Sequence, residues 1–161
     1  SAWRTGAVVT GWDQHFFIRI AEANDFSSTA GDELVGAVKK HAADHGTEVE
    51  YSLYAGPGQA WARDRALALL NNVLPQHFKK ACMNGSRQVT LWSHGGQPET
   101  FSAVLRAIKG DEDPADLDVL INYLPPTPVP HGGGYLFELV VDDLGKVVTV
   151  DRIKRIELPT T

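Results

Sequence analysis

The sequence predicts a mixed α/β fold in which apolar strands alternate with amphipathic helices. Three apolar or alternating segments, at about 16–22, 48–54 and 88–92, indicate strands, and a helical pattern follows each of them. Two further strand-like segments, YLFELVV and KVVTVDRI, flank an Asp-Asp-Leu-Gly turn that is typical of a hairpin. Because strand–helix alternation makes successive strands parallel, we expect an α/β sandwich with a mixed sheet, parallel core strands and a C-terminal antiparallel hairpin.

Apolar spacing and end signals predict four helices. The first spans 28–46 and closes at a glycine, and the second runs from about Gln59 towards Pro75, where the proline ring should break it. The third, 97–110, has a proline in its first turn and a glycine past its end. The fourth lies within 113–126, between an Asp-Pro start and a Pro-Pro stop.

Length and composition favour a single soluble domain. The 161 residues are 43% hydrophobic and 22% charged, and we take residues 1–161 as one α/β domain. The chain opens with SAWRTG and its only methionine is Met83, so we expect it to be excised from a longer protein. It contains no apolar run long enough to cross a membrane. Cys82, the single cysteine, excludes an internal disulfide and suits a reducing, cytoplasmic setting.

Charge gives little indication of a macromolecular partner. The net charge is −5, with acidic and basic residues interspersed, so we expect no extended nucleic-acid contact. A basic cluster at 152–155 is interpreted as a solvated strand end. The charge pattern does not exclude a protein partner.

Two glycine turns are similar to each other: SLYAGPGQ at 52–59 and TLWSHGGQ at 90–97. Each would follow a strand and open a helix, a position where ligands of open sheets bind and where free N–H groups attract anions. We therefore predict a pocket for a small-molecule or phosphate-bearing ligand. The predicted ligand-binding residues are Gly56, Gly58, Arg63, Gly95, Gly96 and His131. The alternative is that the first turn is a tight backbone corner and that Arg63 forms an ion pair.

The segment VTLWSHGG is where we expect chemistry. It resembles the strand and Ser-His-Gly of caspase-like cysteine peptidases, in which the histidine ends a strand. In that family the nucleophilic cysteine follows a later strand, whereas Cys82 precedes His94, so the activity does not carry over. By position alone, His94 is a predicted general base with Ser93 beside it. A histidine that only bonds to the turn is the alternative.

The segment HGGG, at 131–134, resembles the oxyanion loop of lipases and esterases. The Gly-x-Ser-x-Gly sequence that would supply the nucleophile is absent from the chain. We therefore interpret His131 and its glycines as a flexible entry to the strand that starts at Tyr135, or as a lid.

The segment HAADH places His41 and His45 four residues apart on one helix, a spacing that can chelate zinc. It resembles the inverted zinc-peptidase motif His-x-x-Glu-His, with Asp44 where that family has glutamate. A third ligand is not evident in the sequence, so we expect no resident metal and no cofactor.

Three functions remain open, and the sequence does not decide whether the chain is an enzyme. The favoured one is a small-molecule or anion-recognising domain with its site at the two glycine turns, with hydrolase or transferase chemistry as an option. The second is a non-catalytic protein-interaction module, such as a toxin-neutralising or scaffold domain. The third is a zinc hydrolase built on His41 and His45.

Overall fold

The computed structural model describes residues 30–83, 97–130 and 132–157. The helices are α1 (Asp32–His45), α2 (Val49–Ala55), α3 (Gln59–Ala68), a π-helical turn (Leu69–Val73), α4 (Leu74–Met83), α5 (Pro98–Lys109), α6 (Leu117–Leu120) and a 3₁₀ turn (Ile121–Tyr123). The strands are β1 (Gly134–Val141) and β2 (Val147–Ile156). The described residues therefore combine helices with one antiparallel pair of strands.

The prediction of a strand at 48–54 is wrong, because this segment forms α2. The apolar residues of this segment also fit one face of a helix, and tertiary contacts favour the helix over the strand. The helix buries Ser52, Leu53 and Tyr54, and Leu53 packs with Val38 of α1. The other two predicted parallel strands, 16–22 and 88–92, lie outside the described residues, so within the described part no parallel core sheet is seen.

The helix ends that carry local signals are confirmed. α1 stops at Gly46, which adopts a left-handed φ of 63°. α5 begins with Pro98 at its first position and ends before Gly110. The predicted helix within 113–126 is reduced to α6 and the 3₁₀ turn, and the Asp116 side chain caps α6 by accepting a hydrogen bond from the Asp118 N–H.

The predicted helix break at Pro75 is wrong. Helical structure continues from Gln59 to Met83, and the π-helical turn lies immediately before Leu74. Proline lacks an N–H and its ring collides with the carbonyl four residues earlier in a regular α-helix. A wider π turn inserts one extra residue at this point, so the helix accommodates Pro75 without ending.

The C-terminal hairpin is confirmed. β1 and β2 pair antiparallel with two register shifts. In the turn, one Asp142 carboxylate oxygen accepts hydrogen bonds from the N–H groups of Leu144 and Lys146, at 2.9 and 3.0 Å. Gly145 has a φ of 79° and packs against helix α4, where a Cβ would lie 2.1 Å from the Pro75 carbonyl oxygen. The hairpin tip is thus docked on the helical layer.

Helix α5 is the centre of the core. It contacts α3, α6, the 3₁₀ turn and both strands, and it is buried on almost every side, as expected of a central helix. A second apolar cluster, around Val38 and Leu53, joins α1 and α2, and Trp61 packs against it. The core around α5 consists of Ala66, Leu69, Leu70, Phe101, Ala103, Val104, Leu105, Leu120 and Val150.

Candidate functional site

The first glycine turn is a tight corner between α2 and α3. A Cβ on Gly58 would lie 2.5 Å from the Leu53 carbonyl oxygen and 2.6 Å from its Cδ1 atom. A Cβ on Gly56 would lie 2.6 Å from the Ser52 carbonyl oxygen and 3.1 Å from the His41 ring. Both glycines therefore permit close packing. Because the turn follows a helix, the argument that placed it at a strand end does not apply.

Arg63 is close to the glycine turn in sequence but bonds elsewhere. Its Nε donates to Asp64 at 3.0 Å, and one terminal nitrogen donates to the Ala115 carbonyl at 2.9 Å. The bond to Ala115 ties α3 to the loop that precedes α6. The ion pair that the sequence left as an alternative is present.

The second predicted turn falls outside the described residues. The described residues do not include Ser93, His94, Gly95, Gly96 or His131. The roles of these residues, and the pocket predicted between the two glycine turns, stay predictions.

The start of α5, which follows that turn, already holds a carboxylate. Glu99 is only 5% exposed, and its Oε1 accepts a hydrogen bond from the Val129 N–H at 2.8 Å. A carboxylate in the first helical turn uses the favourable field of the helix N-terminus. This end of α5 is therefore less suited to a bound anion than the sequence implied.

His41 and its neighbours form a hydrogen-bonded cluster between α1 and α2. The His41 Nδ1 lies 2.9 Å from the Ser52 hydroxyl, which lies 2.9 Å from the Thr47 hydroxyl. The His45 ring stacks on the His41 ring with centroids 4.0 Å apart. Ser52 is fully buried, so this Ser–His pair is closed to a substrate. Among the described residues, no group of three or more His, Cys, Asp or Glu side chains is arranged to hold a metal.

A cleft that the sequence did not predict lies between α5, the proline-rich segment 124–130 and the hairpin. We call it the basic cleft. It is an open depression of about 490 Å³, and Arg106 and Tyr123 line both it and a second open depression of about 340 Å³. The basic cleft is lined by Ser102, Arg106, Tyr123, Leu124, Pro125, Pro126, Thr127, Tyr135, Arg155 and Glu157.

The two arginines of the basic cleft differ in what they bond. Arg155 is engaged along its whole guanidinium: Nε donates to Glu157 at 2.7 Å, and the terminal nitrogens donate to the Thr127 and Pro128 carbonyls at 2.8 Å each. Burial alone would lower the pKa of Arg155, but the hydrogen bond to Glu157 and nearby charges raise it above its ordinary value. Arg155 therefore shapes the wall of the cleft.

Arg106 retains free donors. Its Nε donates to the Ser102 hydroxyl at 3.3 Å, and within the described residues its two terminal amino groups have no hydrogen-bond partner. Lys109, one turn further along α5, lines the second depression and donates to the Asp151 carbonyl at 3.3 Å. The positive charge of Arg106 is thus available to a ligand.

Tyr123 is one of the two residues that line both depressions. Its hydroxyl donates to the Glu112 carboxylate, and this hydrogen bond raises the pKa of the phenol. The Tyr123 ring presents an aromatic surface to the cleft.

These residues carried weak sequence signals. Arg106 and Lys109 have the composition of an ordinary helix C-terminus, and Arg155 belongs to the cluster interpreted as a solvated strand end. The side chains become a site only because α5, the segment 124–130 and β2 pack together.

No protein-family model, curated protein or solved structure matches the chain. Within the described ranges, none of the helices has the length and apolar character needed to span a bilayer.

Proposed function

We propose that the chain is a small-molecule-binding domain that recognises a carboxylate or phosphate group at the basic cleft. The observation that carries the proposal is the guanidinium edge of Arg106, which lines two depressions and has no hydrogen-bond partner on its terminal nitrogens among the described residues. The planar fork of arginine matches the oxygen pairs of carboxylates and phosphates. Arg106 is thus the proposed anion anchor.

The walls of the cleft favour a ligand with an apolar or aromatic body. Tyr123, Tyr135, Leu124 and Pro125 all line the basic cleft. Small-molecule sites are commonly apolar clefts with a few polar groups that fix orientation. We infer a ligand whose anionic head pairs with Arg106 and whose body lies against the tyrosines.

The basic cleft alone does not account for catalysis. Among the described residues that line it, the only acidic side chain is Glu157, which is bonded to Arg155, and none is a histidine or cysteine. Hydrolase or transferase chemistry would therefore depend on the predicted His94 and Ser93 before α5. Pro98, at the start of that helix, lies about 12 Å along the axis from Arg106 at 1.5 Å per residue.

A thermal-shift screen against nucleotides, sugar phosphates and aryl carboxylates tests the proposal. At saturating concentration we expect a compound of one of these classes to raise the melting temperature by about 5 °C or more. Arg106→Ala should weaken its binding about 10–100-fold, since a charge-assisted hydrogen bond is lost. Arg152→Ala is the matched control, because Arg152 is exposed and, among the described residues, pairs only with Glu138, at 3.7 Å.

The outcomes separate the alternatives. Equal loss of affinity in Arg106→Ala and Arg152→Ala would show that only net charge matters, and would contradict the site. His94→Ala is a further arm: loss of binding would place the second glycine turn at the same site.

A protein-interaction module is the second candidate, and one observation favours it. Among the described residues, five of the seven exposed large hydrophobic side chains lie on the hairpin. Clustered apolar exposure marks interaction surfaces. If no compound shifts the melting temperature of the wild type, this function replaces the first. The five are Leu136, Val140, Leu144, Val148 and Ile156.

A further inference from the structure

The hairpin packs one face on the helices and exposes the other. Along β1, Phe137 and Leu139 pack against the core around α5, and the residues that alternate with them are exposed. Residues directly opposite each other in antiparallel strands lie on the same face of the sheet. The register therefore defines an outer face that consists of Leu136, Glu138 and Val140 of β1 and Thr149, Arg152, Lys154 and Ile156 of β2.

The outer face carries exposed apolar side chains towards both of its ends. Leu136, Val140 and Ile156 are 38%, 46% and 37% exposed. Leu144, in the turn, and Val148, at the start of β2, are more exposed still, at 58% and 60%. Apolar side chains grouped on one exposed face mark an interaction surface.

The charges at the centre of the outer face complement themselves. β1 supplies an acid, Glu138, and β2 supplies two bases, Arg152 and Lys154. A two-fold axis that runs parallel to the strands, midway between two such faces, places β1 of one copy over β2 of the other. Because Glu138 and Arg152 are directly opposite each other in the hairpin, Glu138 of each copy then lies over Arg152 of the other. Leu136 lies over the aliphatic stem of Lys154 in the same way.

We propose that the outer face is the interface of a homodimer in which two hairpins stack face to face. The apolar side chains supply the buried area, and the four central charges, one acid and one base from each copy, fix the register of the two copies. At about 3.3 Å per residue the face is roughly 25 Å long and 10 Å wide, which is smaller than a standard interface. We therefore expect a weak dimer, with a dissociation constant of about 10–100 µM.

The dimer is independent of the ligand proposed for the basic cleft. Tyr135 and Arg155, which line that cleft, are opposite each other in the hairpin and alternate with the residues of the outer face. At low micromolar concentration the chain is monomeric, so Arg152→Ala stays a sound control for ligand binding.

Two charge-reversed variants test the proposal by sedimentation equilibrium between about 5 and 500 µM. Glu138→Arg and Arg152→Glu should each weaken self-association at least about tenfold, because like charges then meet across the two-fold axis. An equimolar mixture of the two variants should associate at least as tightly as the wild type, because one then carries two bases at positions 138 and 152 and the other two acids. Misfolding of either variant would not be repaired by mixing.

Matched substitutions separate the outer face from the rest of the surface. Val140→Ser should weaken the dimer, whereas Val49→Ser, on α2 and similarly exposed at 41%, should not. Arg106→Ala should dimerise like the wild type, so failure of the ligand site and failure of the dimer are distinguishable. A wild type that stays monomeric up to about 500 µM would overturn the proposal and assign the face to a different protein or to another part of the chain. A mixture of the charge-reversed variants that does not associate would overturn it as well.

Discussion

At the scale of single residues, glycine favours the folded state at one position and disfavours it at another. Gly58 is buried at the α2–α3 corner, with the Leu53 backbone and side chain against its Cα. Gly36 lies in the middle of α1, is exposed, and has open space where a Cβ would be. Glycine in a helix interior is unfavourable because glycine loses more backbone freedom on folding than any other residue.

We predict that Gly58→Ala and Gly36→Ala change stability in opposite directions. Gly58→Ala should lower the free energy of unfolding by about 1–3 kcal/mol, since the added methyl group overpacks against Leu53. Gly36→Ala should raise it by about 0.5–1 kcal/mol. Urea denaturation measures both. Changes of the same sign would contradict the packing at the corner.

At the scale of elements, the sequence predicted what short-range chemistry determines. The ends of α1 and α5 follow from Gly46, Pro98 and Gly110, and the hairpin follows from its Asp-Asp-Leu-Gly turn. The strand predicted at 48–54 is a helix because a seven-residue stretch satisfies both strand and helix periods, and only tertiary contacts such as those with α1 decide between them. The basic cleft was not predicted because its walls come from segments that are far apart in the chain, and only tertiary packing brings them together.

The segment 124–130 shows how one side chain fixes an element that has no regular structure. Arg155→Ala removes the hydrogen bonds to the Thr127 and Pro128 carbonyls, and we predict a loss of about 2–3 kcal/mol in the free energy of unfolding. Arg152→Ala, on the exposed face of the same strand, should change it by less than about 0.5 kcal/mol.

Hydrogen exchange localises this effect. The Val129 N–H, bonded to Glu99, should exchange faster in Arg155→Ala than in Arg152→Ala, because the segment is released from β2. Comparable exchange in the two variants would show that Arg155 does not hold the segment.

At the scale of the whole molecule, the segment 124–130 joins parts that are distant in the chain. The Tyr54 hydroxyl of α2 donates to the Pro125 carbonyl at 2.9 Å, across 71 residues. Glu99 of α5 and Arg155 of β2 hold the same segment further along. The segment 124–130 therefore adds a connection between α2 and the α5 core to the one that α3 provides, and Tyr54 makes this connection on the α2 side.

This link makes the stability of the molecule sensitive to alkaline pH. Burial, followed by the nearby negative charge of Glu99, raises the pKa of Tyr54 well above its ordinary value. Below a pH of about 10 the phenol is protonated in the folded and unfolded chains alike, so its contribution is fully present. Above that pH the unfolded chain loses the proton while the folded chain keeps it. The free energy of unfolding then falls by up to about 1.4 kcal/mol per pH unit until the folded-state pKa is reached.

We predict that Tyr54→Phe removes this part of the pH dependence. At pH 8 the variant should be less stable than the wild type by about 1 kcal/mol, because the hydrogen bond to Pro125 is lost. Between about pH 10 and 11.5 its free energy of unfolding should fall less steeply than that of the wild type, so the two curves should converge. Urea titrations at fixed pH steps measure both curves, and other titrating groups cancel in the comparison because both proteins share them. Parallel curves over this range would show that Tyr54 ionises equally in the folded and unfolded chains, and that it is not buried at the junction between α2 and the segment 124–130.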